Sequence, residues 1–97
     1  MTNSVFVVAK VTAKPGHENE LGQALLGLVD TARTEPGFIQ YDLHVLDDNP
    51  AEFVFYEIWE SEALLDIHNN TDSMKAFGAK AGGWIEAVEI KKYKKIS

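Results

Sequence analysis

The chain has 97 residues, 45% of them hydrophobic and 25% charged, and a formal net charge of −6. That size and ordinary composition predict one globular domain over residues 1–97 rather than a disordered chain. The acidic balance argues against nucleic acid or an anionic membrane as partner, and the absence of cysteine excludes disulfides, thiolate nucleophiles and cysteine–metal sites.

Met1-Thr2-Asn3-Ser4 lacks the basic region and long apolar run of a signal peptide, and no stretch is long and apolar enough to span a bilayer. A cytoplasmic location is the resulting expectation. Val5 to Thr12, rich in β-branched residues, reads as a strand that Lys14-Pro15-Gly16 breaks. Leu21, Leu25, Leu28 and Ala32 then recur at helical spacing, with Glu18 and Glu20 in the first turn, where the helix dipole favours acids. Glu35-Pro36-Gly37 stops that helix.

Phe38 to Leu46 is a second strand, with Ile39, Tyr41, Leu43 and Val45 predicted on its apolar face and Gln40, Asp42 and His44 on its polar one. Asp47-Asp48-Asn49-Pro50 predicts a turn and hence a hairpin with a third strand, Phe53 to Trp59. That third strand is apolar on both faces: Val54, Tyr56 and Ile58 on one, Phe53, Phe55 and Trp59 on the other, with Glu57 the single interruption. Ser61 caps a second helix carrying Ala63, Leu64, Ile67 and His68 at helical spacing. Asp72 or Ser73 is the expected cap of a further piece with Met74 and Phe77, and Gly82-Gly83 ends it. Trp84 to Lys95 reads as a last strand, its Val88 and Ile90 apolar and its lysines suited to an edge.

The order strand, helix, strand, strand, helix, strand predicts an α+β, ferredoxin-like βαββαβ fold with an antiparallel sheet covered by helices on one face. A strand that is greasy on both sides needs cover on both sides. Burying each large apolar side chain is worth about 1.5–3 kcal/mol, so the uncovered face predicts a homodimer with the two sheets packed face to face.

Lys14-Pro15-Gly16, Glu35-Pro36-Gly37-Phe38-Ile39-Gln40-Tyr41, Phe53-Val54-Phe55-Tyr56-Glu57-Ile58-Trp59-Glu60-Ser61, then Ala63 and His68, run in an order that resembles the antibiotic biosynthesis monooxygenase (ABM) domain family over nearly the whole chain. The resemblance implies a dimeric α/β barrel. It also implies an activity among those of the family: oxidation of quinols or polycyclic phenols without metal, flavin or haem, degradation of haem, or isomerisation of a phosphorylated sugar derivative. The haem-degrading branch carries an asparagine, a tryptophan and a histidine where this chain has Ala9, His68, and the region of Phe77 and Gly78. The family's Thr-Pro-His is replaced by Thr71-Asp72-Ser73.

Cofactor-free oxidation asks for a base, an apolar chamber and a few orienting polar groups. His68 is the first candidate base, because imidazole titrates near neutrality; the alternative is a structural histidine hydrogen-bonded at a helix end. Glu57, a lone acid in an apolar strand, is the second. Burial would raise its pKa, and the alternative is a buried pair, with a lysine the expected partner. Trp59, Tyr41, Tyr56 and Phe77 are the candidate substrate contacts; core filling accounts equally for the aromatic ones. His44 and His17 read as surface residues. No histidine pair or carboxylate cluster has metal-ligand spacing, no glycine-rich phosphate loop follows a strand, and no Gly-x-Ser-x-Gly elbow occurs.

The expectation is therefore a cofactor-independent monooxygenase acting on a small quinol-like or hydroxylated aromatic substrate, with no metal and no cofactor. Two alternatives stay open. One is an isomerase or tautomerase of a phosphorylated sugar-like ketone. The other is a non-catalytic dimeric module that binds a small ligand.

Overall fold

A computed structural model describes residues 3–97. Seven elements run in order: β1 (Val5–Ala13), α1 (Glu18–Ala32), β2 (Phe38–Leu46), β3 (Asn49–Trp59), α2 (Glu62–Asn69), α3 (Asp72–Ala81) and β4 (Ile85–Tyr93), with a 3-10 turn over Gly82–Trp84. The strands pair antiparallel in the order β2-β3-β1-β4, which is the α+β, ferredoxin-like arrangement that the element order predicts.

Strand alternation decides which side chains meet the helices. Along β1, Val5, Val7, Ala9, Val11 and Ala13 are buried while the residues between them are half-buried. On β3 the covered face takes Phe53, Phe55, Glu57 and Trp59, leaving Val54, Tyr56 and Ile58 on the open face. From α1, the stripe Leu21, Leu25, Leu28, Val29 and Ala32 closes over the sheet. Tyr41 and Leu65 complete the same core.

Several local expectations are corrected. The hairpin turn is only Asp47-Asp48: Leu46 pairs with Asn49, so β3 starts at Asn49, whose Oδ1 accepts from the Ala51 N–H at 3.0 Å. Ile39 and Val45 lie half-exposed instead of in the core. For Ile39 the reason is a register shift between Phe38 and Gln40, which leaves it as the extra residue of a bulge. Val45 lies near the hairpin end, on an open depression that it shares with the first turns of α1. On α2 the buried residues are Leu65 and His68, three apart and so on one face; Ile67, a third of a turn away, is 55% exposed. The cap of α3 is Thr71, whose hydroxyl accepts from the Met74 N–H at 3.1 Å, rather than Asp72 or Ser73. Trp84 belongs to the 3-10 turn, and β4 is an edge strand ending at Tyr93.

The loop between α1 and β2 reaches across to α2. Gly37 has φ of 82°, and a Cβ there would meet Leu64 at 2.6 Å. Its carbonyl accepts from the Glu60 N–H at 2.8 Å. Only glycine lets the start of β2 press this closely on the first turn of α2, and the approach brings Glu35 to the side of His68.

Candidate active site

Glu57 is set by register. On the covered face it lies between Tyr41 of β2 and Val7 of β1, and it is 5% exposed. Burial raises its pKa above the ordinary 4.5; the Trp59 indole and the nearby His68 partly oppose the rise. The indole Nε1–H donates to Glu57 Oε1 at 2.9 Å from two residues along the same strand face. Oε1 is thus occupied by the indole, and the residue lines the cavity described below. The expected lysine partner is replaced by this neutral donor.

His68 stands next to the last residue of α2 and is 4% exposed. Its Nδ1 lies 2.5 Å from Oε1 of Glu35, whose side chain is 14% exposed. A carboxylate accepts only, so this bond puts a proton on Nδ1. The imidazole stacks on Trp59, with centroids 4.3 Å apart and planes at 28°. Tyr41 meets it edge-on at 5.4 Å. Burial, reinforced by Glu57 and Glu35, pushes the Tyr41 hydroxyl above its ordinary pKa and keeps it a donor.

These groups border a cavity of about 140 Å³ between the sheet and helices α1, α2 and α3. Tyr41, Glu57, His68 and Phe77 line it, together with Met74, Phe55 and aliphatic side chains of β1 and α1. Val88 and Ile90, 52% and 63% exposed, border it along β4, where the helical cover is thinnest. A second depression of about 210 Å³ shares Glu57, Asn69 and Ile90 with the first and adds Asp66 and Lys92.

The structure therefore brings His68, Glu57, Tyr41 and Phe77 together. Trp59 is fully buried behind them; it orients Glu57 and His68 and does not line the cavity. Tyr56 is separated from the group, since it faces the open side of the sheet beside Phe6, Val8 and Ile58. His44 is exposed, and His17 pairs on the surface with Glu20. Glu35 is the residue that sequence reasoning missed. It reads there as part of a helix stop, and its partner lies 33 residues away. Among the described residues no group of three or more His, Cys, Asp or Glu side chains could hold a metal ion, and no helix is long and apolar enough to cross a membrane.

Glu57 carries a pH signature. A carboxyl whose pKa is raised by folding favours the folded state fully below its unfolded value and loses that contribution as pH rises through the folded value. Glu57→Gln removes the titration. Its stability relative to the wild type should therefore rise as the pH increases from about 4.5 upward, when urea unfolding is followed at a series of pH values. A pH-independent difference would show that Glu57 titrates normally.

The family model "Antibiotic biosynthesis monooxygenase" matches residues 4–80. YcnE of Bacillus subtilis, named provisionally as a monooxygenase, is 33% identical over 76 residues, covering 78% of this chain and 80% of its own. An uncharacterised protein of Synechocystis is 29% identical over 91 residues, covering 93% of this chain; the chain spans only 62% of that relative's length. A crystal structure from Pseudomonas aeruginosa superposes with a TM-score of 0.95 at 31% identity, covering 100% of this chain and 98% of the other.

Proposed function

Because this chain belongs to the antibiotic biosynthesis monooxygenase family, we propose that it is a cofactor-independent monooxygenase that oxidises a quinol or another hydroxylated aromatic. The observation that carries the reading is the pairing of a buried acid, Glu57, with a Glu35-anchored imidazole, His68, on the wall of a largely apolar cavity.

The chemistry rests on that pairing. His68 Nε2 takes the proton of the substrate hydroxyl, and Glu35 stabilises the imidazolium that results. Glu57 and the Tyr41 hydroxyl offer hydrogen bonds to the substrate's oxygens, and the apolar walls exclude water. The electron-rich phenolate passes one electron to dioxygen, and the radical pair joins to form a peroxide at a ring carbon ortho or para to the oxygen. His68 returns its proton to that peroxide. Loss of the ring-carbon hydrogen with cleavage of the O–O bond then gives a quinone carbonyl and water. One oxygen atom enters the product, the other leaves as water, and the substrate supplies the electrons.

The test is oxygen consumption by the purified protein with a panel of reduced quinones and hydroxylated aromatics, without added metal or flavin. Uptake with an oxygenated product supports the reading; none across the panel removes it.

The same proposal includes a homodimer. Phe6, Val8, Val54, Tyr56 and Ile58 form a partly exposed apolar strip on the face that no helix covers. A second copy packed sheet to sheet buries that strip on both sides. Ile58→Glu places a charge within that strip, and sedimentation velocity should then find monomer where the wild type is dimer. A wild type that stays monomeric at high concentration would overturn the assembly.

A further inference from the structure

We propose that Met74 is an oxidation site built into the wall of the cavity: its thioether takes an oxygen atom from a peroxide held there, and the sulfoxide that forms shuts the site down. The source of the peroxide rests on the oxygenase reading, to which the inference adds a limit on working life.

Place and chemistry both single out this residue. Met74, in the first turn of α3, is half-buried and lines the same chamber as His68, Glu57 and Tyr41. The chain has no cysteine, so no thiol competes for the oxidant. The other walls are poor acceptors of an oxygen atom. The aliphatic side chains of β1 and α1 offer no lone pair, Phe55 and Phe77 are plain benzene rings, and Tyr41 is held as a neutral phenol. Trp59 is fully buried and does not line the chamber. A thioether is soft and polarizable, and peroxides oxidise it readily.

The step branches from the hydroperoxide that forms when His68 returns its proton. The sulfur lone pair attacks the outer peroxide oxygen. The O–O bond breaks, an S–O bond forms, and the hydroxyl proton passes to the oxygen left on the ring. Sulfur is oxidised by two electrons and the peroxide is reduced by two. The hydrogen on that ring carbon then moves as a proton to the neighbouring ring oxygen, and the product leaves as a hydroxylated phenol in place of a quinone. One atom of dioxygen ends on the sulfur and the other in the product.

Helix α3 is the wall that such a change disturbs most. Ala81 is its one buried residue, and Met74 and Phe77 are the partly buried side chains that pack it on the core. A sulfoxide sets a strong dipole against those apolar neighbours. The helix loosens, water enters, and the chamber loses the dryness the chemistry needs. Methionine sulfoxide reductases reverse the modification, so the device can be reset.

The experiment has two arms, both on the full chain and both read by peptide mass spectrometry. In the first, dilute hydrogen peroxide is added without substrate. Met74 should gain one oxygen atom, the thermal unfolding midpoint should fall, and methionine sulfoxide reductases with dithiothreitol should restore it. Met74→Leu, a swap that conserves volume, should show no such reversible fall. A Met74 that stays unoxidised, or whose oxidation leaves the midpoint unchanged, overturns the inference. In the second arm, a substrate that supports oxygen uptake is turned over under isotopically labelled dioxygen, with catalase present to remove free hydrogen peroxide. Labelled sulfoxide should accumulate on Met74, and the rate should fall in proportion to it. Met74→Leu, measured against its own starting rate, should hold that rate for longer. Turnover that leaves Met74 unlabelled overturns the inference, as does an equal decline in the variant. Absence of uptake across the substrate panel, with the first arm as expected, removes the oxygenase reading alone and leaves the oxidation site standing.

Discussion

His68→Ala should lower kcat for a hydroxylated aromatic by about a hundred- to ten-thousandfold, the range lost when a positioned general base is removed. KM should move much less, because the walls of the cavity stay in place. The imidazole is singled out by its surroundings: Glu35 holds Nδ1 from one side, Trp59 supports one ring face, and the residue lines the cavity. The variant leaves a hole of imidazole shape, so added imidazole should restore part of the rate, and the restored rate should track the fraction of neutral imidazole as pH changes. A structural histidine would behave differently. Its loss would lower the unfolding midpoint and leave kcat per folded molecule within a few fold of the wild type. That outcome would remove His68 from the chemistry.

Trp59→Ala should be the most damaging substitution for stability, at about 3–5 kcal/mol, the range for truncating a buried tryptophan. Native domains of this kind are stable by about 5–15 kcal/mol, so the loss is a large share of the total. Trp59 is fully buried, its indole N–H is the donor on Glu57 Oε1, and its ring is the plate on which His68 lies. Truncation therefore opens a void and strips a buried carboxyl of its partner. Trp59→Phe separates these effects: it refills most of the void and restores no donor. Its Glu57 should titrate even higher than in the wild type, since the indole bond is what opposes the desolvation. Urea unfolding followed by circular dichroism measures the first effect. An unchanged midpoint in Trp59→Ala would mean that the core rearranges freely around the site.

Much of the fold is readable in the chain because alternation and helical spacing are local. The pattern of β3 already separates Phe53, Phe55, Glu57 and Trp59 from Val54, Tyr56 and Ile58, and so places an acid among aromatics. What it leaves open is which set meets the helices; α1 settles that by closing over the first set. Spacing fails where tertiary geometry intervenes. Ile39 has the spacing of a core residue, but the bulge beside Phe38 shifts it outward. Helix α2 has only two turns, too short for its apolar stripe to show its direction, and Leu65 rather than Ile67 turns inward. Glu35 is the largest omission. Nothing around it marks an imidazole partner, because that contact depends on Gly37 letting a loop press on a helix far along the chain.

The strand order also bears on how the molecule is made. β1 leaves the ribosome first yet ends in the interior of the sheet, between β3 and β4. One of its edges waits for a strand that ends at Trp59, the other for a strand that ends at Tyr93. Until β3 is complete, α1 is the helix at hand to shelter the valines of β1, and both hydrogen-bonding edges stand open to other nascent chains. β4 thus seals β1, and the sheet can be completed on the ribosome only after Tyr93 has emerged.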